Sequence, residues 1–483
     1  MTRRARGGLA SSISALLAGT RATWVCAAMG AGEREIVAAG DTPSRHDGVE
    51  LVMVLPDQQA HAMAYEVVSN SVLWFTYHDL FDKVRRPIFD SRWHQAWGAY
   101  REVNRLFADQ AAARAAPGAT VLVQDYQLHL VGAMLRETRP DLKIVHFVHT
   151  PFCEPSVLRV LPDATVDELL SSLAAYDACG FHSLRWCQAF TSCCDSRDIP
   201  APPTFAAPLG VDEDSLLAAT ATDECRRERE RISLATGGRR LIVRVDRMEL
   251  SKNILRGFLA FDRMLESNPD LRGTVSFLAL TYPSRESLAE YSTYRAEIET
   301  VVRRINARWS GVAGSTSGGQ GPPGDGLDLA GAAREPGVWH PIILEVEDFY
   351  PRSVAAMSLY DVLLVNPVRD GLNLVAKEGP LINRNNGMLV LSREAGVWDE
   401  LAVAATGINP FDLEATAEAM RDALAAEAGD RAAAAAALRE AARVSTPIAW
   451  LDAQKAAAGL EGAPMGAPVA RAARLRSSHE GGT

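Results

Sequence analysis

The sequence has no run of about 18 apolar residues free of charge, so no membrane-spanning helix is predicted. It has no excess of positive charge. Fifty Lys and Arg stand against 60 Asp and Glu, a formal net charge of −10. Such a chain builds no global basic field, which excludes nucleic acid and anionic membranes as general partners. No CxxC pair occurs among its seven cysteines; Cys193 and Cys194 are adjacent and the rest are scattered. That argues against a structural zinc site and a disulfide framework, and for reduced thiols in a cytoplasmic protein. There is no internal repeat. What is present is ordinary for a globular protein: 47% hydrophobic and 23% charged residues over 483 positions, enough for two or three domains.

Residues 1–32 carry Arg3, Arg4 and Arg6 and no acid before Glu33. Leu9–Leu17 is mildly apolar, but Ser11, Ser12 and Ser14 dilute it. The spacing of Leu9, Ile13, Leu16 and Leu17 fits a core-facing helix better than a targeting segment.

Short apolar runs punctuate the chain: VLVQ at 121–124, IVHFV at 144–148, LIVRV at 241–245, TVSFLAL at 274–280, PIIL at 341–344, VLLV at 362–365 and MLVL at 388–391. Helical patterns lie between them at 167–176, 253–265, 287–309, 374–381 and 413–424. Strands that are apolar throughout, alternating with helices, predict an α/β fold of parallel sheets covered on both faces. The length allows two sheets, with the break near 210, after the Pro-rich IPAPP. Residues 311–338 are Gly-rich with few large apolar side chains and read as a mobile surface insertion. Residues 425–445 are Ala-rich and helical, and the end from Pro464 is expected to be disordered.

Three blocks carry chemistry. Asn366–Glu378 (NPVRDGLNLVAKE) follows an apolar strand and enters a helix. Gly371 lets backbone approach a ligand, and successive N–H groups at a helix start favour an anion. Asp370 can accept from hydroxyls and Glu378 from a ribose. An ordinary strand–loop–helix with a capping Asp explains the block as well. In VDRMELSKN at 245–253, Arg247 and Lys252 stand at a strand's carboxyl end, where open α/β sheets bind ligands. Two converging cations suit a departing diphosphate, although solvated surface charges are the commoner fate of such residues. In HFVHTPF at 146–152, His149 ends a strand, and Asp125 ends the one before it. A lone His there is more often a core residue than a catalytic one.

These blocks, with SNSVLWF at 69–75, VLVQDYQLHLV at 121–131 and YPSR at 282–285, resemble the trehalose-6-phosphate synthase family from about Gly7 to about Trp450. The family comprises retaining glycosyltransferases of the GT-B type, with two Rossmann-like domains facing a central cleft. VDRMELSKN and FLALTYPSR are most similar to its actinobacterial branch. The resemblance implies transfer of glucose from GDP-glucose or UDP-glucose to glucose 6-phosphate, giving α,α-trehalose 6-phosphate. It implies that Arg247 and Lys252 hold the donor diphosphate. Asp370 and the backbone of Gly371, Leu372, Asn373 and Leu374 would hold donor glucose and phosphates, and Glu378 the ribose. His149 would lie by the donor sugar and Asp125 by the acceptor. Tyr65, Trp74 and Arg285 match the acceptor-phosphate site, Arg352 an arginine near the nucleotide, and Gly7 and Gly8 the end of a Gly-rich donor loop.

No metal is expected, since two cations already face the diphosphate and no His/Asp cluster has metal spacing. The expected domains are 1–210 for the acceptor, 211–445 for the nucleotide sugar, and 446–483 as a helix and tail. The family's opening strand and Ser-Asn-Arg segment have no counterpart before Gly7, so the N-terminal sheet is expected to lack a strand. Two rival readings remain. One is a related transferase with another acceptor (glucosylglycerol phosphate or an aminocyclitol product). The other is a non-catalytic paralogue that binds sugar phosphates. Homo-oligomerisation is left open.

Overall fold

In chain order the strands are β1 (Thr23–Ala27), β2 (Ser44–His46), β3 (Val49–Val54), β4 (Thr120–Gln124), β5 (Lys143–Phe147), β6 (Ala178–Phe181), β7 (Thr204–Ala206), β8 (Arg240–Arg247), β9 (Val275–Tyr282), β10 (Ile342–Val346), β11 (Val362–Val365), β12 (Met388–Ser392) and β13 (Thr406–Ile408). They belong to a computed structural model that describes residues 16–17, 22–40, 44–46, 49–285, 288–309, 328–334 and 337–460. The predicted N-terminal helix at Leu9–Leu17, Gly7, Gly8 and the tail from Pro464 lie almost wholly outside those residues.

Each apolar run of the sequence becomes a strand, and all but β4, which is half-buried, are buried on both faces. β11 is buried at all four positions and β9 at all but its last. The second half carries six parallel strands in the order β10-β9-β8-β11-β12-β13. The chain runs outward from β8 through β9 to β10, returns to β11 beside β8, then runs outward the other way. The order therefore reverses between β8 and β11. The crevice beyond the carboxyl ends of that pair is where open α/β sheets take ligands. The first half carries a parallel sheet β4-β5-β6-β7 and a smaller sheet β1-β3-β2 in which β2 is antiparallel. No ladder joins β3 to β4 among the described residues.

The helix Ser91–Arg114 packs Trp93, Trp97 and Tyr100 as a stacked stripe into the first core. The last helix, Pro447–Ala457, starts on a Thr446 cap with Pro447 in its first turn. It crosses back to the first half, where Trp450 meets the rings of Phe147 and His149. The side chain of Gln454 bonds Gln124 at 2.9 Å.

One expectation is corrected. The end of the predicted surface insertion is not a loose loop. Leu329–Arg334 is a helix, Leu329 and Ala332 are fully buried in the second core, and the Leu329 N–H donates to Glu345. A single well-placed leucine is enough to dock a segment whose composition reads as unstructured. Leu329→Ala should therefore destabilise the protein by about 2–5 kcal/mol in urea denaturation. A loss below about 0.5 kcal/mol would show that the helix does not pack.

Candidate functional site

The site is assembled from strand ends. Arg247 ends β8, and Lys252 follows it in a short 3-10 turn. Asp370 follows β11. Lys252 Nζ lies 2.6 Å from Asp370 Oδ2, with both side chains mostly buried. Burial alone pushes the Asp370 carboxyl up. The Lys252 charge and hydrogen bonds from Lys252 and Asn373 outweigh it, so the group sits below the usual carboxylate range. Burial likewise opposes the Lys252 charge, but Asp370, Asp246 and Glu249 raise it.

After Asp370 the backbone turns into the helix Val375–Ile382. Asn373, at φ +90°, accepts the Ala376 N–H through its side chain and donates to Asp370. The N–H groups of Gly371, Leu372, Asn373 and Leu374 donate to no group among the described residues. Four free donors ahead of a helix, beside a lysine, form an anion cradle. The sequence reading had Gly371 admit a ligand. In the structure it admits protein: a Cβ there would lie 1.9 Å from the His149 carbonyl oxygen.

That contact brings the second half onto the first. His149 follows β5, and its N–H donates to Asp125 Oδ1 at 3.1 Å. The ring is bonded through Nδ1 to His182 Nε2 at 3.1 Å and through Nε2 to Gln124 Oε1 at 3.0 Å. The Leu209 N–H donates to His182 Nδ1. These roles are mutually consistent if each imidazole carries its proton on Nε2. Burial, with His182 adjacent, keeps His149 neutral, well below its usual range. Burial also pushes Asp125 up to about 6, against the His149 and Tyr126 N–H groups and the charges of Arg247 and Arg285.

Arg285, three residues past β9, stacks over Trp74 at 4.7 Å and bonds Tyr291 at 2.5 Å and Tyr126 at 3.3 Å. Trp74 is 2% exposed, whereas Tyr65 is 38% exposed and stacks on His61. Both belong to one helical stretch, which runs through the wide-turned π segment Met63–Leu73. Asp125, Asn253, Arg285 and Asn373 all have positive φ without being glycine. Such strain concentrates at functional sites.

Glu249 was missed by sequence reasoning. Its buried carboxylate lies 3.4 Å from Arg247 Nε and 3.9 Å from Arg285 Nη1, and accepts from Ser284. Burial pushes it up, but Arg247, Arg285, Lys252 and His78 hold it low. It therefore ties together the cations assigned to the two substrates. Its position two residues after Arg247 was the available signal; an acid in a charged motif reads as a surface residue. His182, Gln124 and Gln454 were also missed.

The Glu378 side chain has no hydrogen-bond or ion-pair partner among the described residues, and burial pushes it up to about 7. Arg352 departs from its expected role. It is buried and bonds Glu228 at 2.7 Å, Glu345 at 2.6 Å and Glu347 at 2.9 Å. Three carboxylates occupy its guanidinium, so it holds the fold at the base of the Leu329–Arg334 helix. No group of three metal-ligating side chains occurs among the described residues, and no helix there is long and apolar enough to cross a membrane.

The sequence profile of Glycosyltransferase family 20 matches residues 1–199, 202–316 and 335–457. A Trehalose-6-phosphate synthase of Mycobacterium marinum is 33% identical over 458 residues, 89% of this chain and 84% of that one. The crystal structure of an alpha,alpha-trehalose-phosphate synthase (UDP-forming) from Burkholderia vietnamiensis is 28% identical, with a TM-score of 0.79 over 95% of this chain and 97% of that one. One from Burkholderia xenovorans in complex with glucose-6-phosphate is 25% identical, with a TM-score of 0.76 over 96% and 98%.

Proposed function

This chain belongs to glycosyltransferase family 20, and on that premise we propose how its residues move glucose from UDP- or GDP-glucose to glucose 6-phosphate with retention, giving α,α-trehalose 6-phosphate. The observation that carries the assignment of roles is the four free N–H groups at 371–374 beside Lys252, at the sheet's switch point and against the His149 carbonyl.

The donor diphosphate sits on those N–H groups, with Arg247 and Lys252 facing it. Charge grows on the diphosphate as the glycosidic bond breaks, and preorganised cations stabilise it there. Asp370 accepts from hydroxyls of the donor glucose. Neutral His149 lies by the same sugar, its ring held by His182 and Gln124. Glu378 accepts from the ribose. Arg285, Tyr65 and Trp74 hold the acceptor phosphate, and Asp125 orients the acceptor hydroxyl. With both substrates fixed on one face of the sugar, retention needs no enzymic nucleophile. Gly7 and Gly8 complete the donor loop in this reading. The substrates are metabolites of the cytoplasm, and the seven cysteines are free thiols.

The cations make a divalent ion unnecessary in this reading. Transfer from nucleotide glucose to glucose 6-phosphate should persist after exhaustive chelation. Complete loss restored by Mg²⁺ or Mn²⁺ would assign the charge neutralisation to an ion. No transfer with or without metal would overturn the assignment of substrates.

Glu378 gives a pH signature. Its carboxylate must be ionised to accept two ribose hydroxyls, and in the free protein burial holds it protonated below about 7. Nucleotide affinity should therefore fall about tenfold from pH 8 to pH 6. Glu378→Gln should bind more weakly at pH 8 and lose that slope. An unchanged slope in the variant would place the titrating group elsewhere.

A further inference from the structure

A second cavity, of about 750 Å³, opens next to the Lys252–Asp370 pair. That is ample for a metabolite. Asn253 and Arg369, the sequence neighbours of Lys252 and Asp370, line it; Lys252, Asp370, Arg247, His149 and Glu378 do not. Its walls come from both halves of the protein: His78–Phe81 from the first, and the loops after β8, β11, β12 and β13 from the second.

Its charges are unevenly matched. Arg256, Arg369 and Arg393 line it, and none has a carboxylate partner among the described residues. Arg256 bonds Asn253 Oδ1 and lies over the Phe411 ring at 5.1 Å. Arg393 donates to the Gly407 carbonyl. Arg369 makes one long bond to the Phe152 carbonyl, and its buried Nε has no partner. Of the acids on the wall, Asp79 is paired with Lys83 and Glu394 with Arg185, both from outside it. Glu297 is the remaining acid, and it is exposed. The wall thus carries a surplus of guanidinium. Guanidinium forks match oxyanions in geometry as well as charge.

We propose that this cavity is a second ligand site, taking a small multivalent oxyanion, a polyphosphate or a polycarboxylate, between Arg256, Arg369 and Arg393. The arginines belong to the second half and His78–Phe81 to the first, so a ligand that fills the cavity touches both, favours the arrangement in which they meet, and couples to the cleft next door. The site stands on its own geometry, but its separateness from the donor site rests on the functional reading above.

The test is calorimetric titration of the full chain with inorganic pyrophosphate and, separately, with citrate, each with and without saturating nucleoside diphosphate. The expected result is that at least one of the two anions binds when the donor site is full. In Arg256→Glu/Arg393→Glu that residual binding should weaken more than tenfold, with nucleoside diphosphate affinity unchanged. Both side chains are exposed, so the variant should fold, which its melting temperature checks. Residual binding that disappears in Lys252→Ala rather than in the double variant would overturn the proposal. So would no residual binding by either anion. Failure of the functional reading looks different: nucleoside diphosphate itself would not bind.

Discussion

Lys252→Ala should lower turnover by about 10²–10³, because one preorganised charge on a developing oxyanion is worth roughly 3–4 kcal/mol. Nucleotide affinity should fall less, since Arg247 and the four N–H groups remain. The substitution also strands Asp370, which is mostly buried and, among the described residues, is paired with no charged group but Lys252. Breaking one side of such a pair costs about 3–5 kcal/mol of stability. Stability and chemistry therefore need separate readouts. Lys252→Ala/Asp370→Asn should recover part of the melting temperature without recovering turnover. Turnover within about threefold of the parent in Lys252→Ala would remove this lysine from the reaction.

Gly371→Ala should be nearly as damaging, for a reason unrelated to charge. The new Cβ would lie 1.9 Å from the His149 carbonyl oxygen, backbone against backbone. Neither partner can rotate away. Trp186 fixes the loop from behind, its Nε1 donating to the Gly371 carbonyl at 3.1 Å, and a Cβ on Gly396 would strike the same oxygen. The donor loop or the His149 loop must move by about an ångström. A displacement of that size between reacting groups costs about a hundredfold in rate. The expected result is a large loss of kcat with a melting temperature lowered by a few degrees. Wild-type kcat in Gly371→Ala would mean that the two loops are apart during catalysis.

The strands that flank the site were legible because they are unbroken apolar runs. VLLV is β11 residue for residue, and the runs behind β5, β8 and β9 differ from them only at their ends. β6 was not legible. It reads Ala-Cys-Gly-Phe, and a Cβ on Gly180 would lie within 2.5 Å of the rings of Phe147 and Phe205. Its neighbours fill the space that a β-branched residue would occupy, so the strand lacks the usual composition. β1 and β3 were missed too, because Thr23 and Cys26 in one and Glu50 in the other interrupt their apolar runs. At the site, strand ends followed by charged residues singled out Arg247, Lys252 and Asp370 as candidates, and the family resemblance supplied their roles. The same rule could not find Glu249, whose role comes from Arg285 reaching it from beyond β9 to join Arg247 and Lys252 of its own segment. The family resemblance matched Arg352 to an arginine near the nucleotide, because sequence spacing cannot show Glu228, Glu345 and Glu347 closing around it. The packed Leu329 helix was hidden for the opposite reason: composition averages over a segment, while docking depends on one side chain.

In the proposed mechanism, acceptor and leaving group share one face of the donor sugar, with departure driven by fixed cations. Proton NMR of the first product formed from nucleotide glucose and glucose 6-phosphate, in the presence of chelator, tests it directly. The expected initial anomer is α,α-trehalose 6-phosphate. A β-linked product would contradict it, because that outcome requires attack from the face opposite the diphosphate.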